Sequence, residues 1–304
     1  MRTAPVWKAL AVALSFAVAL PAIAQQKPAA PRANWTSVEE ALGRKGAIQT
    51  GDVIRFSFPR SDLTVSVAGV TLKPALALGS WVAFKEIGKG QSMAMGDLVL
   101  VENEVSPVMR ALQAGGVEQT ALHNHVLGES PHVMYMHISA HGDAAKIAHA
   151  IHDALAQSRT PLGPALPPAT ASAVDLDTMG IAKALGVAGK LNGVVYQVSV
   201  PRGEKIESMG HEVPPSMGVA TAINFQPTGG GKAAITGDFV LRGNEVNAVI
   251  RALHDHGIEM TALHSHMLDE APRLYFMHFW ANDDAVTLAK GLRAALDQTK
   301  SKKD

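Results

Sequence analysis

The sequence predicts an α+β protein made of two copies of one unit, each copy a mostly antiparallel sheet whose second half runs strand–helix–strand–strand–helix. The first observation behind this is a duplication. Gly96-Asp97 recurs as Gly237-Asp238, Asn103-Glu104-Val105 as Asn244-Glu245-Val246, and Arg110-Ala111-Leu112 as Arg251-Ala252-Leu253. Thr120-Ala121-Leu122-His123 recurs as Thr261-Ala262-Leu263-His264, and throughout this part the offset is a constant 141 residues. The second observation is periodicity: runs of β-branched and aromatic residues alternate with segments whose apolar residues recur at helical spacing. The third is a stretch rich in Pro and Ala, residues 160–173, which separates the copies and reads as a linker. Two copies make a pseudo-two-fold pair rather than a solenoid.

Each copy opens with a short helix, Ser37–Leu42 and Thr178–Leu185. A strand follows at Val53–Phe58 and Val194–Val200, ending in Pro59-Arg60 and Pro201-Arg202. Further strands are expected at Thr64–Val70, Trp81–Phe84 and Ser92–Leu100 in the first copy, and at Val219–Phe225 and Ala233–Leu241 in the second. Asn103 and Asn244 stand where a helix N-cap belongs, with Glu in the first turn. Val105, Val108, Met109 and Leu112 form one apolar helical face, as do Val246, Val249, Ile250 and Leu253. Gly116 and Gly257 end these helices. Strands at Thr120–Leu127 and Val133–Ser139 follow, mirrored by Thr261–Leu268 and Leu274–Trp280. Helices at Ala144–Gln157 and Ala285–Gln298 close the copies. Asp97 and Asp238 read as turn or bulge residues, Arg60 and Arg202 as ion-pair or surface residues, and Trp81 and Trp280 as core or groove residues.

The organisation is then a signal peptide over 1–24, a flexible leader over 25–34, repeat 1 over 35–159, the linker over 160–173 and repeat 2 over 174–300. Arg2 and Lys8 precede the apolar stretch Ala9 to Leu20, Pro21 ends it, and Ala22-Ile23-Ala24 supplies an Ala-x-Ala cleavage pattern before Gln25. The apolar stretch is shorter than the ~20 residues that span a bilayer. The expected location is therefore the periplasm or the medium, with no membrane anchor after cleavage. Lys+Arg and Asp+Glu both number 27, a formal net charge of zero, so nothing draws the chain to nucleic acid. There are no cysteines, which excludes disulfides, thiolate metal sites and a lipid anchor on an N-terminal cysteine.

The chemistry concentrates in histidine. His123-Asn124-His125, Glu129 and His137 recur at identical spacing as His264-Ser265-His266, Glu270 and His278. On a strand, residues i and i+2 share a face, so the two histidines of each His-x-His project together. The next strand returns beside the first and brings the last histidine to the pair, with the glutamate in the connecting turn. Three imidazoles and a carboxylate suit a divalent transition metal (Zn, Cu, Ni, Mn or Fe) better than calcium or magnesium. The expectation is one His3Glu site per repeat, formed by His123, His125, Glu129 and His137 and by His264, His266, Glu270 and His278. The competing reading is that these histidines only hydrogen-bond. His132, His141, His149, His152, His211, His254 and His256 have no counterpart in the other copy and read as surface residues.

The stretch from Gly237-Asp238-Phe239-Val240-Leu241 through Thr261-Ala262-Leu263-His264-Ser265-His266 to Met277-His278-Phe279-Trp280 resembles the LppY/LpqO family, exported bacterial proteins grouped under a domain of unknown function. The resemblance covers nearly the whole mature chain in both copies. It implies export and a duplicated unit, and it carries no established activity. Family members named as lipoproteins have a lipid-bearing cysteine that this chain lacks. Locally, His-x-His-x-x-x-Glu with a later His is similar to the metal motif of cupins. There the helices flanking the motif are absent, so the likeness is one of ligand geometry. Three functions follow: a metal-binding protein for storage, sensing or delivery; a metalloenzyme using the same histidines, for which no nucleophile motif is visible; and a structural protein that docks a cell-envelope partner.

Overall fold

A computed structural model describes residues 33–164 and 174–302, with residues 1 and 3 standing alone before them. The expected signal peptide apart from residues 1 and 3, the expected leader up to residue 32 and residues 165–173 of the linker lie outside the described residues.

Repeat 1 contains α1 (Thr36–Leu42), β1 (Ala47–Gln49), β2 (Val53–Pro59), β3 (Ser66–Val67), β4 (Val70–Thr71), β5 (Gly79–Gly88), β6 (Gln91–Val101), α2 (Glu102–Ala114), β7 (Glu118–His123), β8 (Val133–Gly142) and α3 (Ala144–Leu155). Repeat 2 follows with α4 (Thr178–Leu185), β9 (Lys190–Asn192), β10 (Val195–Pro201), β11 (Glu207–Ser208), β12 (His211–Glu212), the short 3-10 turn Pro215–Met217, β13 (Ala220–Gly229), β14 (Lys232–Leu241), α5 (Val246–His254), β15 (Glu259–His264), β16 (Tyr275–Asp284) and α6 (Ala285–Leu296). Each repeat is an antiparallel six-stranded sheet, in order β1-β2-β5-β6-β8-β7 and β9-β10-β13-β14-β16-β15. The α+β duplication expected from the sequence is present, including the strand–helix–strand–strand–helix second half.

Alternation along the central strands assigns the faces. In β6, Ala94, Leu98 and Leu100 pack with Val108 and Leu112 of α2 and Ile147, Ala148 and Ile151 of α3. The opposite row, Met93, Met95 and Val99, packs against the other repeat. Met93 and Met95 share a cluster with Val240, Leu274 and Phe276, while Val99, Val133 and Tyr135 share one with Val195, Ala234 and Trp280. The two sheets therefore pack face to face with helices outside both. This explains why β6 is buried at nearly every position: neither of its faces meets water.

The short arm between β2 and β5 ties the repeats together. Val70 and Thr71 pair back onto Ser66 and Val67 as a tight hairpin, where a single strand over Thr64–Val70 was expected. The turn is Ala68-Gly69, both at positive φ, a backbone that reverses the chain within two residues. The arm reaches across to repeat 2: the Gln226 side chain accepts from Lys73 N at 2.8 Å and donates to Thr71 O at 2.8 Å. Asn224 donates to Leu76 O and Gln197 to Ala75 O in the same way. In the opposite direction, Arg55 donates to Ser216 O and Lys85 to Glu212 O.

Two expectations at the start of the second half are corrected. Asn103 and Asn244 do not cap helices; α2 begins at Glu102 and α5 at Val246. The glutamates beside them take over. Glu104 accepts from Val101 N at 3.0 Å and Glu245 from Arg242 N at 2.7 Å, satisfying backbone donors at the helix entrance. Each glutamate is also gripped by the buried Arg60 or Arg202, at 2.7 Å in both repeats. Arg60 and Arg202 are thus internal ion-pair residues, not surface ones. The linker begins as packed chain: Thr160 is buried, and the carbonyls of Pro161 and Gly163 accept from Arg44.

Candidate metal centre

The strand ladder delivers the histidines to the inner face of the sandwich. Asp97 of β6 lies opposite His137 of β8, which lies opposite Ala121 of β7. One step along, His123 is opposite Tyr135. Repeat 2 reproduces the register, with Asp238, His278 and Ala262 in one row and His264 opposite Phe276 in the next. Both edge strands end at the first histidine of His-x-His. His125 and His266 therefore follow the strand instead of continuing it, a correction to the expected strands running to Leu127 and Leu268. The pair still converges, with ring centroids of His123 and His125 5.2 Å apart and those of His264 and His266 5.1 Å apart.

Because the sheets face each other, the two constellations merge. The His123 ring stacks on His264 at 3.5 Å, His125 on His278 at 3.8 Å and His137 on His266 at 3.7 Å. The crossing loops are stitched reciprocally: Thr120 Oγ1 donates to His266 O, and Thr261 Oγ1 donates to His125 O, both at 2.5 Å. Tyr135 and Phe276 occupy equivalent places, lying flat on His125 and His266 at 3.3 and 3.4 Å.

The Nε2 atoms of His123, His125, His137, His264, His266 and His278 are all buried without a hydrogen-bond partner. Asp97 Oδ1 and Asp238 Oδ1 are in the same condition. Buried polar atoms are paired in the great majority of cases, and eight unpartnered ones gathered here form a cluster that could hold a ligand. The other ring nitrogens are engaged where the geometry shows them: His278 Nδ1 meets Gly237 O at 2.6 Å and His123 Nδ1 meets Asn124 O at 2.9 Å. A ring whose Nδ1–H donates to a carbonyl presents a lone pair at Nε2, which is how protein scaffolds orient metal-binding imidazoles.

Electrostatics agrees with neutral donors. Burial lowers the pKa of all six histidines, and neighbouring histidines add to the effect for every one but His123; His278 is lowered to about 3. Burial also raises Asp97 to about 8, with the nearby Asp238 carboxylate adding to it and Arg55 opposing it. Asp238 is raised as well, chiefly by burial. Neutral imidazoles and carboxylates that resist ionising in an apolar setting form a centre that an added cation would relieve.

Three groups of donor atoms lie within 4.8 Å of one another: His123, His125 and His278; His123, His137 and His264; Asp238, His264 and His266. Five of the six histidines thus enter groups that span the repeats. This differs from a self-contained His3Glu set in each repeat, because the facing sheets bring the two copies closer to each other than strand spacing alone conveys. Glu129 and Glu270 are buried, but they bind the hairpin backbone, accepting from Val133 N at 3.3 Å and Leu274 N at 2.9 Å. Among the described residues, neither belongs to a group that could hold an ion. The carboxylates at the cluster are Asp97 and Asp238, with His125 Nε2 3.6 Å from Asp97 Oδ2 and His266 Nε2 3.1 Å from Asp238 Oδ2. The sequence held a signal for them: in Met93-x-Met95-x-Asp97-x-Val99 an acid occupies the inner row of an otherwise apolar strand.

Comparison with known proteins places the duplication in a family. The model of Domain of Unknown Function (DUF1259) matches residues 36–157 and again residues 179–298. The chain belongs to the DUF1259 family. Each DUF1259 match coincides with one sheet and its three helices, so the family unit is the structural repeat. A search of curated proteins finds no match. Among solved structures, the trimeric bacterial microcompartment shell protein PduB aligns over 84% of this chain and 89% of its own, at 14% identity and a TM-score of 0.22. EtuB from Clostridium kluyveri aligns over 83% and 90%, at 11% identity and a TM-score of 0.19. Superpositions this loose carry no argument about function.

Proposed function

We propose that this DUF1259 protein is an exported divalent transition-metal-binding protein whose buried histidine cluster stores, senses or delivers the ion. One observation carries the reading: six buried Nε2 atoms without partners converge on one place. Neutral nitrogen donors with a minority of carboxylate oxygen favour zinc, copper, nickel, manganese or iron over calcium or magnesium. Export is supported by the signal-like segment 1–24 and by the likeness to the LppY/LpqO proteins. A metalloenzyme is the second reading, favoured by one feature. Tyr135 places a buried, unpartnered hydroxyl beside His125, where the other repeat has Phe276.

The test is metal analysis of native protein isolated from a periplasmic fraction, with N-terminal sequencing of the same sample. Bound transition metal and a mature terminus at Gln25 are expected. Protein that emerges metal-free and takes up none of these ions on titration overturns the reading.

A further inference from the structure

The proposed metal-binding function leaves open how the eight donors divide among ions, and the three donor groups constrain that division. One Nε2 lone pair serves one ion. The group His123, His137 and His264 therefore competes with both others, since it shares His123 with one and His264 with the other. The remaining two, His123–His125–His278 and Asp238–His264–His266, have no residue in common and can be filled together.

The duplication completes each set. His137 is the counterpart of His278, and its ring lies 3.7 Å from His266, as that of His278 lies 3.8 Å from His125. Asp97 is the counterpart of Asp238, and each carboxylate faces the second histidine of its own His-x-His. On this basis, which rests on the metal-binding reading above, we infer that the cluster is a paired centre of two exchanged sites. One is His123, His125 and Asp97 of repeat 1 with His278 of repeat 2. The other is His264, His266 and Asp238 of repeat 2 with His137 of repeat 1.

The exchange has a physical cause. The returning strand of each repeat places its histidine in the row of Asp97 or Asp238, and across the sandwich that histidine's ring lies against the second histidine of the other repeat's His-x-His. Each ion would then bridge the two sheets. Three neutral imidazoles and one carboxylate make a tetrahedral set suited to zinc or cobalt(II). Metal binding would staple the repeats together in addition to the arm contacts.

Paired substitutions separate this arrangement from one site per repeat. Cobalt(II) is the probe, with stoichiometry read by titration calorimetry and by the visible absorption of the bound ion. The wild-type chain should take up two ions. H125A/H137A removes one ligand from each exchanged site and should take up none; H137A/H266A disables one site twice and should keep one. If each repeat holds its own ion, the results reverse, with H125A/H137A keeping one and H137A/H266A keeping none. The mirror pairs H266A/H278A and H125A/H278A should repeat the pattern of none and one, so a variant that misfolds leaves a second pair to decide. Reversed results, or a single ion on the wild-type chain, overturn the exchange and leave metal binding intact. A wild-type chain that takes up no cobalt overturns both.

Discussion

At the residue scale, the second notable polar cluster in each repeat is the buried arginine. Arg60 donates to Glu104, Asp62 and the carbonyl of Val99, and Arg202 repeats this with Glu245, Glu204 and Val240. Burial alone would lower the arginine pKa, but the hydrogen bonds to both carboxylates outweigh it and hold the charge in place. Glu104 also receives Arg159 N, and Glu245 receives Lys300 N, so each glutamate anchors the chain leaving its repeat. Removing the glutamate strands a buried guanidinium. Glu104→Ala is expected to cost about 3–5 kcal/mol in urea unfolding, and Glu245→Ala about as much. A cost near zero would mean that Asp62 alone satisfies Arg60.

At the element scale, β14 and β13 approach too closely for any side chain at Gly237. A Cβ there would lie 2.0 Å from Ala222 O and 3.0 Å from the Phe279 ring. The clash is with the backbone of a paired neighbour, which cannot turn aside as a side-chain tip can. Gly237→Ala should destabilise the protein by about 1–3 kcal/mol or more, read as a shifted denaturation midpoint. It should also weaken metal uptake, because Gly237 O holds the Nδ1 of His278 and Asp238 is its chain neighbour. Unchanged stability would show that the strands separate at no cost. Gly96 in β6 is the milder equivalent, with its Cβ 2.7 Å from Trp81 O.

At the scale of the whole molecule, the buried histidine cluster makes stability depend on pH in both directions. The six histidines have folded pKa values depressed by burial, so the unfolded chain, titrating near 6.5, binds protons that the folded chain refuses. Their contribution is fully present above about 6.5 and is lost as pH falls toward the folded values, about 3 for His278. Asp97 has the opposite sign. Its folded pKa is raised from 3.8 to about 8, so its contribution is present below the unfolded value and lost as pH rises through about 8. Chelator-treated protein should therefore have its highest Tm between about pH 6.5 and 8, with the steeper fall on the acid side, where the six histidines outnumber the two raised carboxylates, Asp97 and Asp238. A Tm that stays level from pH 7 to pH 4 would contradict the burial of these rings as neutral groups.

Much of the protein was legible in the sequence. The duplication, the α+β class and the order of strands and helices follow from repetition and periodicity, which are local or nearly local properties. The pairing of His123 with His125 and of His264 with His266 was legible for the same reason, since two residues on one short stretch of chain cannot separate far. The positions of Arg60 and Glu104, the cross-repeat hairpin arms and the role of Asp97 were not. They depend on which face of a strand meets the other sheet, and apart from Asp97 the two faces of β6 are too alike in apolar character for the pattern to say which one does. Only the tertiary structure decided that the two histidine constellations form one cluster, that Glu129 and Glu270 serve the hairpin backbone while Asp97 and Asp238 serve the cluster, and that donor groups cross between repeats. The physical reason is that sequence spacing fixes what a strand presents, whereas the face-to-face packing of two duplicated sheets fixes what it is presented to.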